Sequence, residues 1–192
     1  MTMRIALLFA ASLLPLSLMA AEESYTIDPF HTFPNFRINH LGFSTMYGRF
    51  GKTGGRLTLD RETGTGSVAI TIDAASVNTG MKKRDDHLRS PDFLNVVEFP
   101  EITFKSTGAR LNQDGTGTVD GRLTITGVSK PVSLRVTHWH CGIHPMDPKK
   151  QKFVCGFDAA TTIKRSDFGV SFALPAIGDE MDLFLEVEAV RD

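Results

Sequence analysis

The sequence predicts an all-β protein, an antiparallel sandwich or barrel, on three observations. Apolar and polar residues alternate with period two in segment after segment, turn-forming residues separate those segments, and no helices recur between them to make a parallel sheet. In order along the chain, Arg56–Asp60 and Ser67–Asp73 place Leu57, Leu59, Val68, Ile70 and Ile72 on one face and small or polar residues on the other. Glu101–Lys105, Arg122–Thr126 and Val132–Val136 repeat the pattern, and Met181, Leu183, Leu185 and Val187 alternate with Asp182, Phe184, Glu186 and Glu188. Such segments are strands buried on one side and wet on the other. Asp60-Arg61-Glu62-Thr63-Gly64 and Asn112-Gln113-Asp114-Gly115 supply hairpin connections. One stretch departs from the alternation. Residues 78–89 predict a short helix over 81–89, capped by Asn78 or Thr79 and stopped ahead of Pro91, with Leu88, Phe93 and Leu94 as its apolar underside.

The chain of 192 residues divides at its start. Arg4 precedes an uncharged run from Ile5 to Ala21 that ends in Leu-Met-Ala-Ala, which describes a signal peptide cleaved after Ala20 or Ala21. The run barely reaches a bilayer span and contains Pro15, so a retained anchor is the weaker reading. Residues 22–192 then form one domain in an exported, periplasmic protein, with no second long apolar stretch. Charge is balanced, 21 Lys plus Arg against 22 Asp plus Glu, which argues against nucleic acid; Lys82-Lys83-Arg84 reads as a solvated helix start.

Cys141 and Cys155 are the two cysteines of the chain. In an oxidising compartment they predict a disulfide across the loop Gly142–Val154, worth about 3 kcal/mol in the chain-entropy model. His138 and His140 would share a face of one strand, and with Cys141 and His144 they raise a metal-binding or redox alternative. A disulfide removes Cys141 from that set, and no metal is expected. Enzymatic chemistry is not expected either. The sequence holds no Gly-x-Ser-x-Gly turn and no Gly-rich phosphate cradle; Glu98 and Glu101 read as loop carboxylates, and Ser166-Asp167-Phe168 as a turn or helix cap.

Five motifs in order carry a family resemblance. Arg84-Asp85-Asp86-His87-Leu88-Arg89-Ser90-Pro91-Asp92-Phe93-Leu94 is flanked by Phe36–Phe43 with Tyr47–Phe50, by Pro100–Ser106, by Gly121–Val132 and by Lys164–Gly169. Together they resemble the YceI-like, polyisoprenoid-binding family over nearly all of residues 22–192. The resemblance implies a lipocalin-like, eight-stranded antiparallel barrel with the short helix near one mouth. It also implies an apolar lumen holding an isoprenoid lipid, such as a polyprenyl phosphate or an isoprenoid quinone, for transport, storage or stress protection. No other cofactor is implied. The lumen candidates are Phe36, Ile38, Phe50, Val68, Ile70, Phe104, Leu123, Ile125 and Val136. Arg49, Arg84, His87, Leu88, Phe93 and Leu94 are candidates for the mouth and a head group. The segment from Cys141 to Cys155, with its histidines, departs from the shortest family members. The lipid itself, any delivery partner, and the oligomeric state, a homodimer included, stay open at the level of sequence.

Overall fold

A computed structural model describes residues 22–192; the leader expected over residues 1–21 lies outside them. The chain runs β1 (Glu23–Ile27), β2 (Phe33–His40), β3 (Ser44–Phe50), β4 (Thr53–Asp60), β5 (Thr65–Asp73), β6 (Val77–Asn78), α1 (Lys82–Arg89), β7 (Glu101–Leu111), β8 (Gly117–Ile125), β9 (Val128–Ile143), β10 (Phe153–Lys164) and β11 (Ile177–Arg191). Every pairing is antiparallel. The hydrogen-bonded order β1-β4-β5-β7-β8-β9-β10-β11 closes because β11 also pairs with β1. The result is an eight-stranded barrel, and closure removes the open edges that an all-antiparallel sheet would expose.

Three of the eight walls are broken strands. β1 and β2 lie end to end along β11, β3 and β4 lie opposite them, and β6 resumes on β3 the line that β5 follows on β4. The first break contains Pro29, which has no N–H for the ladder. In the last, Asp73 caps a single 3₁₀ turn by accepting from the Ala75 N–H (2.9 Å). The turns follow the side chains. Asp60 accepts from the N–H groups of Glu62 (2.9 Å) and Thr63 (3.1 Å). Thr126 and Gly127 both take left-handed φ values (47° and 73°) in a two-residue hairpin between β8 and β9.

Helix α1 occupies the expected position, but its cap differs. Met81 stands at the N-cap with no side-chain bond, and Ser90 ends the helix ahead of Pro91. Thr79 instead donates its backbone N–H (2.8 Å) and hydroxyl (2.5 Å) to the buried Asp85 carboxylate. A carboxylate inside the first turns collects both donors, so neither Asn78 nor Thr79 serves as the cap.

Two groups of buried residues sit at opposite ends of the barrel. Tyr25, Ile27, Leu57, Leu59, Leu111, Val136, Cys155 and Ala189 close one end. At the α1 end, Ile72, Ile102, Phe104, Ile125, Ile163, Phe168 and Val170 pack with Phe93 and Leu94. Cys141 and Cys155, direct cross-strand partners on β9 and β10, are joined by a disulfide, as expected.

Candidate functional site

Between these ends the barrel is hollow. A cavity of about 810 Å³ runs inside it, walled almost wholly by apolar side chains. Eight-stranded barrels usually fill themselves with side chains, so the space needs a physical cause. Two aromatic rings lie flat against the wall. Phe36 is the direct cross-strand partner of Gly48, and a Cβ at Gly48 would stand 2.3 Å from the ring of Phe36. The Phe104 ring covers Gly121 in the same way, 2.4 Å from where a Cβ would be. Small inward residues, Ala109 and Ala159, leave further room.

Period-two alternation delivers the lining. All nine lumen candidates (Phe36, Ile38, Phe50, Val68, Ile70, Phe104, Leu123, Ile125 and Val136) border the cavity. So do Met181, Leu183, Leu185 and Val187 of β11, whose alternation is equally plain in the sequence and which belonged among the candidates. Phe168, Val170 and Phe172 also line the space; they alternate with Gly169 and Ser171, although the structure places them in a turn and loop rather than a strand.

The mouth is at the α1 end, where the exposed lining residues Tyr47, Met81 and Phe172 stand. Arg84, His87, Leu88, Phe93 and Leu94 border the cavity there. Arg84 does not pair with Asp85 or Asp86. It donates from Nε to the Thr79 hydroxyl (2.6 Å), from Nη2 to the Thr79 carbonyl (2.7 Å) and from Nη1 to the Met46 sulfur (3.4 Å). Donors remain on Nη1 and Nη2. His87 Nε2 is 2.8 Å from Asp92, and its ring meets Phe93 and Phe172 edge-on at 5.0 and 5.3 Å. Arg49 is a correction. It lies outside the cavity lining, with its guanidinium 5.1 Å from the centre of the Phe33 ring. Alternation on β3 turns Phe50 inward and therefore turns Arg49 out.

Two further polar groups border the cavity, Arg165 and Thr53. Arg165 is buried (4% exposed) and donates to four carbonyls, those of Val170, Phe172, Ile177 and Gly178, so it ties the 170–178 segment over the mouth. Thr53 is 5% exposed and borders the cavity, yet its hydroxyl has no partner. Its hydroxyl is the sole such buried side-chain atom among the described residues.

At the closed end Glu23 accepts from Tyr25 Oη (2.6 Å), Arg61 Nε (2.7 Å) and Arg191 Nη1 (2.9 Å). These bonds, that from Arg61 foremost, hold the Glu23 carboxyl at about 2. Burial first, then the Glu23 contact, pushes Tyr25 up to about 12. The network spans this end of the barrel, with the Glu23 carboxylate paired to both arginines.

The histidine loop does not assemble the alternative metal site. Cys141 is in the disulfide, and His144 Nδ1 accepts from the Met146 N–H (3.2 Å) to shape the turn. His138 and His140 border a shallow surface depression with Arg61 and Trp139. Among the described residues, one group of three His, Cys, Asp or Glu ligand atoms lies within 4.8 Å of one another: Asp28, His31 and Glu188. His31 is spoken for by Asp28, at 3.0 Å.

A family model for a YceI-like domain matches residues 25–189. A UPF0312 protein of Pseudomonas aeruginosa is 38% identical over 174 residues, spanning 90% of this chain and 88% of that protein. Protein YceI of Salmonella arizonae is 39% identical over 176 residues, spanning 91% and 90%. Among solved structures, a YceI protein of Campylobacter jejuni superposes with a TM-score of 0.71 at 31% identity, covering 81% of this chain and 90% of that one. A polyisoprenoid-binding domain from Saccharophagus degradans shares the fold, with a TM-score of 0.62 at 16% identity over 88% of this chain and 99% of that domain. With its barrel, its ordered motifs and its relatives in agreement from one end of the barrel to the other, this chain belongs to the YceI-like family.

Proposed function

We propose that this chain is an exported, periplasmic carrier or store for an isoprenoid lipid, a polyprenyl phosphate or an isoprenoid quinone, and that it performs no catalysis. One observation carries the reading: the barrel encloses an apolar hollow of about 810 Å³, with Tyr47, Met81 and Phe172 exposed along its lining at the α1 end. At about 30 Å³ for a water-sized group, such a hollow has room for roughly 25 carbon-sized groups. It falls within the size range of small-molecule sites. The polyisoprenoid-binding domain that shares the fold points to the same ligand class. A disulfide between Cys141 and Cys155 suits an oxidising compartment.

Energetics assign the parts of the ligand. Each CH₂ removed from water contributes about 0.8 kcal/mol, so twenty carbons give roughly 16 kcal/mol before the costs of association. The lipid's usual home is a bilayer, however, where the tail is already dry. Exchange between bilayer and barrel is therefore close to balanced for the tail, and the head group tips it. At the mouth, Arg84 offers its remaining donors and His87 its ring to a phosphate or quinone oxygen.

Native mass spectrometry and organic extraction of protein isolated from its host test the reading. The expected result is a co-purifying isoprenoid lipid at about one per chain. A clean unliganded mass, with no binding of quinone or polyprenyl phosphate to the refolded protein, would sink it.

A further inference from the structure

The rim of the cavity carries apolar side chains that the fold does not bury. Phe43 is 87% exposed, Tyr47 62%, Met81 52%, Leu41 48% and Phe172 44%. They come from three separate segments that meet around the opening. The β2–β3 hairpin tip carries Leu41 and Phe43, and the Leu41 N–H donates to the Ala176 carbonyl (2.9 Å), which joins the tip to the 171–176 segment. That segment carries Phe172, whose ring meets His87 of α1 at 5.3 Å. Helix α1 returns to β3 through the Arg84–Met46 contact (3.4 Å). The apolar residues thus form a ring with the cavity at its centre.

From this ring we infer that the barrel docks mouth-down on the surface of a lipid bilayer bearing anionic head groups. The inference deepens the lipid-carrier reading and rests on it for the identity of the surface. A protein partner seated on the ring would plug the opening, whereas a bilayer would place acyl chains directly at it. A tail could then pass between two dry environments without crossing water. Charge is complementary. The carboxylates of α1 are engaged, Asp85 by Thr79 and Asp86 by Lys82 and Arg89. Lys83, bordering the mouth, forms no ion pair among the described residues, whereas Lys82 is held by Asp86. Exposed lysines at a membrane surface add to the apolar contribution.

Sedimentation with sucrose-loaded vesicles tests the docking. The probes are vesicles of phosphatidylglycerol with phosphatidylethanolamine, and of phosphatidylcholine alone. Leu41→Asn with Phe43→Ser removes the hairpin tip from the ring. Neither residue lines the cavity, and asparagine tolerates the left-handed φ of 57° at position 41. We expect wild type to sediment with the anionic vesicles, less with phosphatidylcholine, and at least about tenfold less in the double variant. Met146→Ser, at an exposed residue (83%) outside the cavity lining, should match wild type. Wild type that sediments with neither vesicle overturns the proposal; a dimer abolished by the double variant would then assign the ring to a second copy, and a captured protein to a partner. Equal sedimentation of wild type and double variant also overturns it. Native mass spectrometry of the same samples separates the two readings. Lipid-loaded protein that ignores vesicles sinks the docking alone, and lipid-free protein that sediments through the ring sinks the carrier reading alone.

Discussion

Glu23 and Thr53 show how single side chains set the terms at the two regions of the barrel. The carboxyl of Glu23 lies at about 2, below its ordinary 4.5, because Arg61, Tyr25 and Arg191 favour its charged form. A depressed carboxyl contributes stability above about pH 4.5, and that contribution disappears as pH falls toward 2. After allowance for solvent screening, about 1–2 kcal/mol is expected. Urea unfolding at pH 6 and pH 2.5 should show Glu23→Gln less stable than wild type at the higher pH and nearly equal at the lower. A constant difference would refute the assignment. Thr53 works in the opposite sense. A buried hydroxyl without a partner costs about 1–3 kcal/mol, and an isosteric methyl removes that cost. Thr53→Val should therefore raise the melting temperature of lipid-free protein by several degrees. The gain should shrink when the bound lipid carries an oxygen that accepts from Thr53. No gain in the lipid-free form would mean that the hydroxyl is already satisfied.

At the scale of the elements, two junctions are decisive. The β9–β10 pair carries the disulfide, and the register places Cys141 directly against Cys155. Their separation of 14 residues corresponds to about 3 kcal/mol in the chain-entropy model. Reduction, or Cys141→Ser with Cys155→Ser, should lower the melting point by about 5–10 °C while the barrel persists. Calorimetry in the presence and absence of reductant checks this, and an unchanged transition would show that strand pairing alone orders the loop. The β2–β3 pair controls the width of the hollow. Gly48→Ala would push the Phe36 ring off the wall and into the lumen. The expected outcome is a folded protein that retains shorter isoprenoids and loses the longest ones, read by mass spectrometry of a mixed-length loading. Equal retention of all lengths would show that Phe36 has another way to move.

For the whole molecule, the hollow and its closure by β1 and β11 are one property. A ring of eight walls is crossed by the Glu23, Arg61 and Arg191 network at one end, while exposed lining residues Tyr47, Met81 and Phe172 stand at the α1 end, the side from which loading is expected. Filling the tube should therefore abolish loading without unfolding the wall. Ala159 on β10 borders the cavity and has open space before it. Ala159→Trp should fold with native circular dichroism and lose most co-purifying lipid. Full lipid occupancy in that variant would place the ligand elsewhere.

Much of this was legible in residue order. Alternation identified strands and inward faces because a pleated strand turns every second side chain to the same side, and Val68, Ile70, Leu123 and Ile125 obey it. The same rule, applied to Tyr47-Gly48-Arg49-Phe50, would have excluded Arg49. Two cysteines sufficed for the disulfide, and the ordered motifs sufficed for the family. Other features existed only in three dimensions. Whether inward residues fill a barrel or leave it hollow depends on where Phe36 and Phe104 lay their rings, and that is set by glycines on neighbouring strands. The partners of Arg84, the buried Arg165 and the orphan Thr53 hydroxyl, like the ring of exposed apolar residues, arise from segments far apart in sequence. Local pattern records which way a side chain points; only the closed barrel decides what it meets there.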